Sequence, residues 1–132
     1  MDISELKPAD ERVIEITHPG TGDPIGVRVS LMSITDARMV KIKRKIQDER
    51  LRLEARGKNF KADDIEENRN ELSFRAMTGW EWYDGANFKG DKNPVFNRAT
   101  VDTVLTELPW FRDQIEEGVS DEKSFFTTSK LG

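Results

Sequence analysis

Apolar and polar positions change their period along the chain, and the changes divide it into segments. Ile25, Val27, Val29 and Leu31 alternate strictly with Gly26, Arg28 and Ser30, and Ile14 and Ile16 show the same spacing earlier. A period of two places each set on one face of a strand. Between them lies His18-Pro19-Gly20-Thr21-Gly22-Asp23-Pro24, where two prolines withhold ladder donors and two glycines permit positive φ. The pattern predicts a β-hairpin over residues 12–31 with a long loop, after a loose lead-in over residues 1–11.

Beyond Ser33 the period becomes helical. Met39, Ile42, Ile46 and Leu53 share one stripe, Thr35 or Ser33 is the expected N-cap with Asp36 in the first turn, and Gly57 is the stop. Lys45 with Glu49, Asp48 with Arg52, and Arg50 with Glu54 stand at i,i+4 spacing. A second helix is expected from about Asp63 to before Gly79, turning Ile65, Leu72 and Ala76 inward, with Phe74 and Met77 off that stripe and needing another apolar neighbour. Gly79-Trp80-Glu81-Trp82-Tyr83-Asp84-Gly85 reads as a loop or short extended connection. Asn97 caps a third helix bearing Val101, Val104, Leu105 and Leu108; Pro109 opens a fourth, Trp110 to Glu117, ended by Gly118. Ser120 to Phe126 adds one more turn, and residues 127–132 form a frayed tail. The expected fold is one helix-dominated α+β domain over residues 1–132. Its hairpin packs on a bundle of three to four helices in the part 34–126, with Ile14, Ile16, Val27 and Val29 buried against Met39, Ile42 and Ile46.

Composition narrows the chemistry. A chain of 132 residues has room for one core. It is 36% hydrophobic and 35% charged, which predicts a small core under a heavily solvated or partner-seeking surface. With 21 Lys and Arg against 25 Asp and Glu, the net charge of -4 argues against a surface built wholly for nucleic acid. The absence of cysteine removes disulfides, thiolate metal sites and cysteine nucleophiles, and makes a reducing cytoplasm the expected setting. No apolar run reaches the ~20 residues of a membrane helix, no basic-then-apolar signal opens the sequence, and Gly132 spoils a peroxisomal Ser129-Lys130-Leu131 ending.

No catalytic, cofactor or metal residues are assigned. Gly20-Thr21-Gly22-Asp23-Pro24-Ile25-Gly26 misplaces the third glycine of a dinucleotide fingerprint and opens no helix. His18 lacks a second histidine or a serine motif and is expected to be structural or solvent-facing. Asp63, Asp64, Glu66 and Glu67 suit the positive end of a helix dipole and lack the spacing of a calcium loop, as does Asp84 to Asp91. The chain therefore reads as a non-enzyme.

Candidate partner-binding residues are of three kinds. Arg38, Lys41, Lys45, Arg52 and Arg56 fall within an arc of about 60° beside the Met39 stripe, a basic ridge for an acidic protein surface or for nucleic-acid phosphate, or simply a solvated face. From Asp102 to Glu122 the acids, among them Asp113, Glu116 and Glu117, meet only Arg112 as a base. Ridge and acids could join copies weakly, head to tail. Phe74, Met77, Trp82 and the Phe125-Phe126 pair are candidate aromatic and apolar contacts, while Trp80 and Trp110 are expected in the core with Trp82 partly exposed.

The order of these features resembles a known family. The hairpin Ile14-Glu15-Ile16-Thr17-His18-Pro19-Gly20-Thr21-Gly22-Asp23-Pro24-Ile25-Gly26-Val27, the helix end Arg52-Leu53-Glu54-Ala55-Arg56-Gly57-Lys58 and the Gly79-Trp80 step are similar to those of tail assembly chaperones of long-tailed bacteriophages. So are Phe96 with Ala99 and Val104-Leu105, then Pro109-Trp110-Phe111-Arg112-Asp113-Gln114-Ile115, Asp121 and Ser124-Phe125-Phe126. The resemblance spans most of Ile14 to Phe126. It implies a non-enzymatic helper in the host cell cytoplasm, absent from the mature virion, that coats the tape-measure protein, helps recruit tail-tube subunits and often forms an open spiral. It also implies that a longer form made by ribosomal frameshifting can exist. The alternative is a small nucleic-acid-binding or other phage structural accessory protein using the basic helix 38–56.

Overall fold

Strict alternation produces the two predicted strands, β1 (Arg12–Thr17) and β2 (Pro24–Leu31), paired antiparallel with Ile14 opposite Val29 and Arg12 opposite Leu31. The computed structural model describes residues 2–6, 9–58 and 61–127. His18 shapes the hairpin loop: its Nδ1 accepts the amides of Gly20 at 2.9 Å and Thr21 at 3.2 Å. A third strand, β3 (Met77–Trp82), lies on the far side of β2, so the sheet order is β1-β2-β3. Of the two readings of that stretch, loop or short extended connection, the extended one holds, and the second helix ends before Gly79 as expected, with Met77 already in the strand. Trp80 and Trp82 alternate with Gly79 and Glu81, and the register sets Trp80 beside Val29 and Trp82 beside Val27. The apolar neighbour that Met77 needed is Leu31, across the ladder.

The helices are α1 (Ala37–Ala55), α2 (Ala62–Ala76), α3 (Arg98–Glu107), α4 (Pro109–Ser120) and α5 (Glu122–Thr127). Asp36, placed in the first turn by sequence, is itself the α1 cap and accepts the Arg38 amide at 2.9 Å. At the other end Lys58 N–H bonds Leu53 O and Gly57 N–H bonds Glu54 O with Gly57 at φ 77°, a Schellman ending that glycine accommodates without strain. Asn97 caps α3 as expected, accepting the Thr100 amide at 2.8 Å. Pro109 sits in the first turn of α4, but Gly118 does not end that helix. A Cβ there would lie 2.8 Å from Leu31 Cδ1 and 3.2 Å from Ile14 Cδ1, so glycine lets α4 approach the sheet closely. The lead-in is less loose than expected: Ile3–Glu5 forms a short 3-10 turn, and Ala9 N–H bonds Phe125 O at 3.0 Å. Of the tail 127–132, only Thr127, the last residue of α5, is among the described residues.

The core gathers Ile16, Val27, Val29 and Leu31 of the sheet with Val101, Val104 and Leu105 of α3, Phe111, Ile115 and Val119 of α4, and Phe125 of α5. Ile14 lies at its edge, half-buried. The sheet is covered by α4, not by the α1 stripe that the alternation was expected to meet. Met39 alone of α1 is buried; Ile42, Ile46 and Leu53 are half-exposed because the one substantial neighbour of α1 among the described residues is α2. The inward side of α2 is also partly polar, with Asn70 and Ser73 buried, while Ile65, expected to turn inward, is 48% exposed in the first turn of that helix. Gln114 of α4 blunts the outer edge of β1: its Oε1 accepts the Thr17 amide at 2.9 Å and its Nε2 donates to Thr17 O at 2.9 Å.

Candidate partner-binding surface

The helix α1 carries charge at most of its exposed positions, and among the described residues it is held chiefly by α2. A two-helix unit has two flanks, and apolar side chains reach both. On one flank a groove of about 610 Å³ has Ile42, Ile46 and Leu53 on its floor. On the other, Ile46, Ile65 and Leu72 line a smaller one of about 220 Å³. Leu51, 63% exposed, stands on the outer face of α1. Helical periodicity does not single it out because it lies off the amphipathic stripe, and that displacement on the helical wheel is the one sequence signal that marks it.

All five ridge residues, Arg38, Lys41, Lys45, Arg52 and Arg56, are exposed. They are not equally available. Arg38 is clamped to Asp36, with Nε to Oδ1 at 3.0 Å, and this bond holds the Asp36 carboxyl below its ordinary range. Arg52 pairs with Glu49 rather than with Asp48. Arg50 and Glu54 meet at 3.2 Å as their spacing predicts. Lys41, Lys45 and Arg56 have no ion-pair partner among the described residues.

The acidic face of α4 is partly neutralised within the molecule. Arg69 of α2 donates from Nε to Glu116 Oε2 at 3.1 Å and reaches Asp113 at 3.5 Å. Glu116, ahead of the nearby Asp113 and Glu66 charges, raises the Arg69 guanidinium above its ordinary pKa. Glu117 remains exposed without such a partner among the described residues. Arg112, the one base expected to face these acids, is buried instead: its Nη1 donates to Asn70 Oδ1 at 2.9 Å and stands 3.5 Å from Glu66. Sequence spacing gave no sign of the Arg69 bridge, since its partners lie more than forty residues away.

Two of the proposed apolar contacts are core residues. Phe125 is fully buried and Met77 is 5% exposed, each closed in by the sheet or the helices, so neither is open to a partner. Phe74 packs on Phe96 with ring centres 5.6 Å apart, and Phe126 is half-buried. Trp82 is partly exposed as expected, but it packs edge-to-face with Trp80, ring centres 5.4 Å apart, and its indole nitrogen is buried. Trp80 and Trp110, expected wholly inside, pack on the rim of the core and stay partly exposed; Trp80 donates to Pro94 O at 3.0 Å.

On the outer sheet face Tyr83 donates to Glu15 at 2.6 Å, and Arg28 lies over the tyrosine ring at 4.1 Å while pairing with Glu15. That hydrogen bond lowers the Glu15 pKa and raises that of Tyr83. Among the described residues no three His, Asp or Glu side chains converge to hold a metal ion. Nor is any described helix long and apolar enough to cross a membrane. Comparison with models of known protein families, with curated proteins and with solved structures finds no match.

Proposed function

We propose that this chain acts by binding, as a tail assembly chaperone of a long-tailed bacteriophage. Its partners are the tape-measure protein, which it holds in soluble form, and tail-tube subunits, which it helps recruit. It works in the host cytoplasm and leaves before the virion is complete. The reading starts from the ordered resemblance between Ile14 and Phe126. The observation that supports it is a long helix, α1, of which only Met39 is buried, leaving apolar side chains on both flanks of the α1–α2 unit. Surfaces of that kind capture other chains. Co-expression with a tape-measure protein of a long-tailed bacteriophage tests the proposal. The tape-measure protein is expected to stay soluble and to co-purify with this chain, and equal insolubility with and without the chain refutes the proposal.

Self-association belongs to the same proposal: a weak head-to-tail contact between Lys41, Lys45 and Arg56 of one copy and Glu117 of the next. Exposed ion pairs contribute only ~0.2–1 kcal/mol each, so the contact should weaken with salt. Sedimentation showing a strict monomer at high concentration and low salt would remove it.

The nucleic-acid reading draws on Lys41, Lys45 and Arg56, which lack ion-pair partners among the described residues. It predicts micromolar binding to nonspecific DNA with a steep salt slope; absence of binding at moderate salt disposes of it.

A further inference from the structure

We infer that the larger groove between α1 and α2 takes one amphipathic helix of a partner, seated in a single direction, with its apolar stripe over Ile46 and its acidic and basic flanks on opposite rims. The inference rests on the reading of the chain as a binding protein. The floor, from Ile42 to Leu53, extends about 16 Å along α1, which matches about three turns of helix. Its three apolar residues are half-buried, so a third helix would remove from water what α2 leaves uncovered.

The rims supply the direction. Glu49 is occupied by Arg52, Arg50 by Glu54, and Glu71 by Arg75 and Arg98. Lys45 and Lys58 on the α1 side, and Glu67 on the α2 side, have no ion-pair partner among the described residues. The uncommitted charge is therefore basic along one rim and acidic along the other. A helix with Glu on one flank and Lys on the other satisfies both rims in one orientation, and turning it end for end sets like charges together. The acidic rim also repels nucleic-acid phosphate, which argues against that occupant here.

A fluorescein-labelled peptide of about fourteen residues tests this, with leucines in an i, i+3, i+7 stripe, Glu on one flank and Lys on the other. Its affinity for the full chain is read by fluorescence anisotropy against two peptides that keep the stripe but carry only Glu or only Lys on both flanks. The two-sign peptide is expected to bind at least about tenfold tighter than either single-sign peptide. Ile46→Asp is expected to weaken it by a further tenfold or more, with the fold checked by circular dichroism. Lys45 is exposed, so Lys45→Glu leaves folding intact and should shift preference toward the all-Lys peptide.

Equal binding of all three peptides overturns the inference, as does an unchanged preference in Lys45→Glu. A dimer seen by sedimentation that is lost in Ile46→Asp and not displaced by peptide also overturns it, by assigning the groove to a second copy. The tape-measure co-expression separates this from the functional proposal. If Ile46→Asp keeps the tape-measure protein soluble as well as wild type does, the groove assignment fails and the chaperone reading stands. If wild type leaves the tape-measure protein insoluble, the chaperone reading fails, and the peptide affinities still decide the groove.

Discussion

Replacing Gly26 with alanine should be among the most damaging one-carbon changes in this protein, and Gly22→Ala is its internal control. Both glycines have positive φ, 93° at Gly26 and 78° at Gly22. For an alanine that conformation costs ~1–2 kcal/mol, offset by ~0.4–1 kcal/mol from a less flexible unfolded chain. At Gly22 nothing else opposes the new methyl group, since no atom lies within 4 Å of it. At Gly26 the methyl would stand 2.5 Å from the backbone oxygen of Tyr83 and 3.0 Å from Ala86 Cβ, where ordinary contact begins at 3.4 Å. The carbonyl belongs to the turn after β3, and Tyr83 N–H donates to Gly26 O at 2.8 Å, so relief means parting the β2 and β3 ends. Overpacking of this kind costs ~1–3 kcal/mol, and the strained hydrogen bond adds ~1 kcal/mol. The expected losses are ~1 kcal/mol or less for Gly22→Ala and ~3–4 kcal/mol for Gly26→Ala. Urea unfolding followed by tryptophan fluorescence measures both, through the midpoint at constant slope. Equal losses in the two variants would refute the reasoning, because they would mean that strain alone matters and that the approach to Tyr83 is slack.

Val29→Ala should cost ~2–3 kcal/mol, as a fully buried residue, whereas Ile46→Ala should cost only ~1 kcal/mol; similar large losses in denaturant unfolding would place α1 in the main core after all. Asp36 has its pKa lowered by the hydrogen bond from Arg38, so its capping stabilisation is present above the ordinary carboxylate pKa and is lost as pH falls through the lowered value. Asp36→Ala should therefore lose ~1 kcal/mol at neutral pH and almost nothing in strong acid, and an equal loss at both pH values in thermal unfolding would count against the cap. Arg112→Met should cost ~1–3 kcal/mol because the buried Asn70 Oδ1 loses the Nη1 donor, although the Nε, which has no hydrogen-bond partner among the described residues, loses nothing; Arg112→Ala should cost ~2–4 kcal/mol by adding a cavity beside Asn70, and an unchanged stability of Arg112→Met in chemical denaturation would show that the Asn70 bond contributes nothing.

What the sequence determined by itself is local. Period two in 12–17 and 24–31, the Asn97 cap, Pro109 at a helix start and Gly57 beyond a helix end all depend on residues a few positions apart, and each predicts its element. The exposed ridge was legible for the same reason, since lysine and arginine on the outer side of an amphipathic helix stay in water. The Trp80 and Trp82 alternation was also present, but a short aromatic stretch becomes a strand only when another edge accepts its hydrogen bonds, and that edge, β2, lies some fifty residues earlier.

Tertiary structure alone decided which surfaces meet. A stripe at helical spacing shows that a face is apolar and not what covers it: α4 took the sheet, and α1 was left with α2 and a half-open groove. Gly118 has the composition of a helix end, yet it lies within α4 because Leu31 and Ile14 occupy the space where its side chain would be. Phe125, near the end of the described chain, fills the core, and Arg69 draws Asp113 and Glu116 toward α2. Each of these outcomes depends on distances between residues remote in sequence, and local period carries no information about such distances.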